Sequence, residues 1–402
     1  MTTTINNEHK KLNVPNLRFP EFQGEWEKCK LGDLCNVLMC KRILASQTNT
    51  EEGVPFYKIG TIGNAPDAYI SKELFDDYKT KYNYPHKGEV MITCAGTVGK
   101  CVIYDGKDAY YQDSNIVWID NPSQCISNSF LYHLLAKVDW RKLNSTTIIR
   151  IYNDDLRNLK LSYPQIEEQQ KISRLLSFLD ERIATQNKII DKLQSLIKGL
   201  NDTLYAQHSD EVMTSFAELG TSYSGLSGKS AQDFGSGKPF ITYLNVYSNN
   251  IINKNDFQYV AIKDGEKQNI VEYGDVLFTL SSETPNEVGI GSVFLGKEKV
   301  YLNSFCFGIH ITNKEVAFSP YLSYYVSSTA FRKFIYPYAQ GSTRFNLCKA
   351  DFEKASIKLP TLENQKRIYS ILSHIDNKII TERQMLDLYN SQKQYLLRQM
   401  FI

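Results

Sequence analysis

No run of 18 apolar residues occurs anywhere in the chain, so the sequence offers no membrane-spanning helix. The amino-terminal MTTTINNEHKK has no apolar core either, which excludes a secretory signal and leads us to expect a cytoplasmic protein with reduced thiols. The eight cysteines include no C-x-x-C pair and the six histidines stand singly, so no structural zinc site is expected. An excess of one charge is missing as well. With 46 basic and 44 acidic side chains the net charge is +2, and any anionic partner would have to be met by local patches. What is present, 42% hydrophobic and 22% charged residues, rules out a disordered chain, and 402 residues imply two to four domains.

Catalytic signatures are also absent. Gly228-Lys229-Ser230 resembles the end of a phosphate-binding loop, but Tyr223 stands where the first glycine would be needed. Pro66-Asp67 followed by Asp77-Tyr78-Lys79 has the spacing of a metal-dependent nuclease, yet SKELFDDYKTKYN reads as a polar helix or loop rather than a strand. Asn121-Pro122 begins like an adenine-methyltransferase box, but Ser123 replaces its second proline and no glycine-rich cofactor loop accompanies it.

The strongest positive feature is an internal repeat. The segment Pro164 to Tyr205 recurs without a gap 196 residues later as Pro360 to Phe401. Glu167 matches Glu363, Gln169 Gln365, Asp180 Asp376 and Leu200 Leu396. Each copy reads as a helix opened by proline and acidic residues. In the first, Ile172, Leu176, Leu179, Ile183, Gln186, Ile190, Leu193, Ile197, Leu200 and Leu204 are spaced 4-3-4-3. The second gives Ile368, Leu372, Ile375, Ile379, Glu382, Leu386, Tyr389, Lys393, Leu396 and Met400, and both patterns predict a coiled coil. A helix of about 41 residues is roughly 60 Å long. The intervening segment of about 150 residues would have a radius of gyration near 15 Å and could not easily span that length. The helices should therefore run antiparallel, giving a pseudo-twofold molecule with Ile402 near the start of the first domain.

The two segments outside the helices share a frame. Each has a Pro-Phe pair (Pro55-Phe56; Pro239-Phe240), then a K/Y-G-[ED]-V strand (KGEVMIT at 87–93; YGDVLFT at 273–279), then alternating strands and a helical stretch (FLYHLLAK; PYLSYYVS). The reading is α+β, with domains at 17–160 and 206–359, helices at 161–205 and 360–402, and an amino-terminal arm at 1–16. Similar frames with different loops suggest related but distinct ligands. Those loops mix basic side chains, which hold phosphates, with hydroxyls and amides, which can reach base edges. The candidates in the first domain are Lys41, Arg42, Lys58, Thr61, Asn64, Thr93, Thr97, Lys100, Arg150 and Asn153. In the second they are Lys229, Tyr243, Asn245, Tyr247, Ser281, Ser282, Thr284, Thr343, Arg344 and Asn346.

This organisation resembles the specificity (S) subunit of type I restriction-modification systems over nearly the whole chain. The carriers are PNLRFPEFQGEWEKCKLGDL at 15–34, the P-x-[IL]-E-x-Q-x-x-I entries at 164 and 360, and the L-D-x-x-I and I-D-x-x-I steps at 179 and 375. The resemblance implies a non-catalytic protein with two target-recognition domains, each reading half of a bipartite double-stranded DNA site. It also implies paired helices that space the domains and hold two modification subunits. S-adenosylmethionine, ATP and Mg2+ would then sit on the modification and restriction subunits, and none on this chain. The competing readings are a stand-alone DNA-modifying enzyme and a coiled-coil scaffold.

Overall fold

The computed structural model describes residues 12–113, 115–142, 150–207 and 211–402. Most of the amino-terminal arm and Thr146–Ile149 of the TTIIRIYN loop lie outside these. The chain divides into two compact units, residues 1–186 with 385–402, and residues 187–384.

The first unit is built on a four-stranded antiparallel sheet in the order Asn36–Leu38, Ile116–Asp120, Val90–Thr93, Cys101–Ile103. Side chains alternate across a strand, and here both faces are covered. Val90, Ile92, Val117 and Ile119 join a core with Phe130, Leu134, Ile172 and Leu176. Met91, Ile116 and Trp118 point the other way, into a core with Phe56, Phe75 and Tyr110. That second core lies under a smaller sheet in which Val54–Tyr57 pairs antiparallel with Tyr69–Ile70 and parallel with Tyr110–Tyr111. A further antiparallel pair, Glu27–Lys30 with Lys160–Tyr163, carries the chain to the first long helix.

The second unit repeats this frame. Its four-stranded sheet runs Gly220–Ser224, Cys306–Ile311, Val276–Thr279, Gly291–Val293. Val276 and Phe278 face one core and Leu277 another. Pro239-Phe240 again forms a parallel pair, Phe240 opposite Tyr301, as Phe56 is opposite Tyr110. Where the first sheet places Trp118 opposite Met91, the second places Gly308 opposite Leu277, because the Tyr223 ring fills that space: a Cβ on Gly308 would come within 2.2 Å of it. A three-stranded sheet of Ser281–Ser282, Phe345–Leu347 and Ala339–Gln340 completes the unit.

The long helices run Ile166–Gln207 and Leu362–Gln399. Each starts two residues after its proline, and Pro360 is the last residue of a strand paired with Glu211–Thr214. The prolines thus serve the helix entry through their carbonyls, as described below, rather than as first helical residues. In the first unit Ile172 and Leu176 share a core with Leu397, Met400 and Phe401. In the second, Ile368 and Leu372 meet Ile197, Leu200 and Leu204. The start of one helix therefore lies beside the end of the other in each unit, which is the antiparallel arrangement. Of the predicted seam, Ile172, Leu176, Leu179, Ile190, Ile368, Leu372 and Ile379 are buried, while Ile183, Leu193, Ile197, Leu200, Ile375, Leu386 and Leu396 are half-buried. Near the carboxyl end it is Leu397, one residue past the heptad position, that is buried, because Phe401 turns onto Trp26 and Phe130. The Ile402 carbonyl accepts from Lys137 at 3.0 Å, and Leu17 N–H donates to Gln399, so the carboxyl end does lie at the entry to the first domain.

Candidate nucleic-acid interface

The repeated glutamine explains how each β-rich domain is tied to its helix. Gln169 is fully buried; its amide NH2 donates to the carbonyls of Pro164 (2.9 Å) and Cys125 (2.8 Å), and its oxygen accepts from Ser127 N–H at 2.8 Å. Gln365 repeats the set with Pro360 (2.8 Å), Val316 (2.7 Å) and Phe318 N–H (2.8 Å). Every partner is a backbone group, so the clamp is indifferent to the side chains of the domain it holds.

In the second unit, a cleft of about 790 Å³ opens at the three-stranded sheet of Ser281–Ser282, Phe345–Leu347 and Ala339–Gln340. One wall is the short helix Tyr243–Ser248, capped by Thr242 and presenting Tyr243 and Tyr247 with rings 6.0 Å apart, nearly parallel. Ser281 and Ser282 form the floor. Glu287 is braced by Tyr247 (2.7 Å), Thr284 (2.8 Å) and Ser282 (3.2 Å), and these hydroxyl donors hold its carboxyl below the usual range. The same bond pushes the Tyr247 phenol up, while burial does so for Tyr243, so both hydroxyls stay protonated at neutral pH. The opposite wall carries Thr343, Arg344 and the exposed ring of Phe305, with the Arg344 guanidinium 5.8 Å above that ring.

Six second-domain candidates, Tyr243, Tyr247, Ser281, Ser282, Thr343 and Arg344, line this cleft; Thr284 braces it, and Asn346 pairs with Ser281 in the sheet. Sequence reasoning missed Leu244, Glu283, Glu287 and Phe305. Glu283 stands between two residues it singled out, whereas nothing local marks Phe305. Two candidates are not surface groups. Lys229 is an internal ion pair, its ammonium 2.6 Å from Glu266 and 2.7 Å from the Ala261 carbonyl, and Asn245 is buried and donates to Asn253. We expect Lys229→Ala to lower the unfolding temperature of the chain and to leave the salt dependence of DNA binding unchanged; a reduced salt slope would restore Lys229 as a phosphate contact.

In the first unit the loops 57–64 and 93–100 meet, since Lys100 donates to the Ile62 carbonyl at 2.5 Å and Ile59 lies against Gly96. Lys100 and Thr97 thus lie on a loop packed against the one that carries Lys58, Thr61 and Asn64. Lys58 also pairs with Asp67 at 2.9 Å, and Thr61 accepts from Lys58 N–H. Thr93 is not a loop residue: it ends a strand, is fully buried, and donates to the Thr97 carbonyl, fixing the turn. Arg42 reaches Asp113 at 3.6 Å, Lys41 sits over Tyr82, Arg150 over Tyr152, and Asn153 opens a short helix. The rejected motifs have structural roles: Asp77 is on the helix Lys72–Lys81, and buried Asn121 donates to Ile126 and Asn128. The eight cysteines are free thiols, and burial pushes Cys35 and Cys94 up to about 12, away from thiolate chemistry.

Comparison with known proteins gives this geometry its context. Residues 23–195 and 224–388 match the model of the type I restriction modification DNA specificity domain. A type I restriction enzyme specificity subunit of Haemophilus influenzae is 48% identical over 169 residues, a match spanning 42% of this chain and 43% of that protein. The MjaX specificity subunit of Methanocaldococcus jannaschii is 23% identical over 93% of this chain and 92% of its own. The crystal structure of the S subunit of a type I restriction-modification system from M. genitalium matches 97% of this chain and 99% of its own, with a TM-score of 0.55 at 16% identity, which is a likeness of fold. With two matched segments covering most of its length, the chain belongs to the type I restriction-modification specificity family and is a DNA sequence-specificity subunit.

Proposed function

We propose that the domains at 17–160 and 206–359 are target-recognition domains, each reading one half of a bipartite, asymmetric double-stranded DNA site, while the helices at 161–205 and 360–402 set their separation and dock two modification subunits. The observation that carries this reading is the pair of glutamine clamps: one β frame met twice by the same buried glutamine, which bonds only to backbone groups, with different loops on each copy. Exposed apolar side chains along the helices, among them Phe178, Leu388 and Tyr395, support a further protein surface against them. Methyl transfer with S-adenosylmethionine and ATP-driven restriction with Mg2+ would belong to the modification and restriction subunits, in the cytoplasm.

The test is an exchange. Replacing residues 35–155 with the equivalent segment of a relative should change one half of the methylated motif in the host genome and leave the other half as it was. A change in both halves would overturn the two-reader model. Purified chain that alone methylated or cut DNA would favour the stand-alone enzyme instead.

A further inference from the structure

Two opposite charges line the cleft of the second unit without neutralising each other. Glu287 is spent on three hydroxyl donors, but among the described residues the Glu283 carboxylate accepts no hydrogen bond and forms no ion pair, and Arg344 forms no ion pair either. Arg344 instead lies over Phe305, an arrangement that orients the guanidinium plane and leaves its donor fork open. A cleft meant for phosphate would not carry an open carboxylate, which repels it. A carboxylate and a guanidinium held apart match a ligand that presents acceptors on one side and a donor on the other.

We infer that this cleft reads one G·C base pair in the major groove, Arg344 donating in bidentate fashion to guanine O6 and N7 and Glu283 accepting from the cytosine N4 amino group. Guanine is the base that places two acceptors side by side for an arginine fork, and cytosine the one whose pairing partner is guanine and whose exposed group is a donor. Phe305 is a positioning residue: it holds Arg344 and does not itself read the base. This inference rests on the second domain being a DNA reader.

The experiment uses the complex recovered through a tag on this chain from a host carrying its partner subunits, and the probe is a library of randomised duplex DNA. For Arg344→Lys, which keeps the charge and loses the fork, preference for G·C should fall by about 5- to 150-fold at one position of one half-site, with the other positions unchanged. Glu283→Gln should weaken the same position. Both residues are on the surface, and an unchanged unfolding temperature verifies that each variant folds. A uniform loss of affinity with a shallower salt slope assigns Arg344 to phosphate and overturns the inference, as does an unchanged profile or an effect of the two substitutions at different positions. Wild-type complex that selects no two-part sequence would overturn the underlying reading instead, so the two failures are distinct.

Discussion

Gln365→Leu is expected to destabilise the second unit by roughly 3–5 kcal/mol, and Gln169→Leu the first by as much, although the substituted residue stays apolar-compatible and the same length of side chain is nearly kept. The reason is the number of backbone groups stranded. Removing the amide leaves the Phe318 N–H and the carbonyls of Val316 and Pro360 without their partner in a fully buried setting, and each such group costs about 1–3 kcal/mol. For a unit of this size the unfolding transition should drop by about 10 °C. Gln394→Leu, on an exposed helix position, is the control and should stay within about 0.5 kcal/mol. Thermal unfolding of the full chain checks it; equal effects at the buried and exposed positions would mean the clamp is dispensable.

The second large effect is a dependence on pH in the first unit. His133 is buried beneath the helix pair, and burial lowers it to about 4, while Asp180, 3.9 Å away, opposes the shift and Lys393 adds to it. The folded form holds the ring neutral, whereas the unfolded chain protonates it below about 6.5. Stability is therefore complete above pH 6.5 and falls as the pH drops toward 4, by an order of 3 kcal/mol in all. The repeat itself supplies the test. At the equivalent place the second unit has Tyr324, whose hydroxyl donates to Asp376, the counterpart of Asp180. His133→Tyr should flatten the stability profile of the first unit between pH 6.5 and 4 relative to wild type, measured by denaturant midpoints across that range. An identical slope in both proteins would show that other groups set the acid response.

Much of the fold was legible because its signals are local. Heptad spacing is set by the 3.6-residue turn, so Ile172, Leu176, Ile368 and Leu372 identified themselves as core without reference to the rest of the chain. The antiparallel direction followed from length alone. The two K/Y-G-[ED]-V strands were recognisable for the same reason, since a carboxylate three residues after the turn accepts from it in both: Glu89 from His86 N–H at 2.7 Å, Asp275 from Glu272 N–H at 2.8 Å.

The lining of the candidate cleft was legible by residue type, and the structural part each candidate plays was not. Lys229 looked like an anchor for phosphate because its neighbours in sequence are Gly228 and Ser230, but its partner Glu266 is 37 positions away and takes its charge out of play. Thr93 and Asn245 looked like loop hydroxyl and amide and are buried braces. Conversely Glu283 and Arg344 come from separate segments and line one cleft only when the strands Ser281–Ser282 and Phe345–Leu347 pair. The amino-acid sequence by itself determined the family, the two-copy plan and the helix seams, because periodicity and repetition are one-dimensional. Which polar groups face a ligand was decided by tertiary structure, since a side chain's free valence depends on what non-local partner has already claimed it.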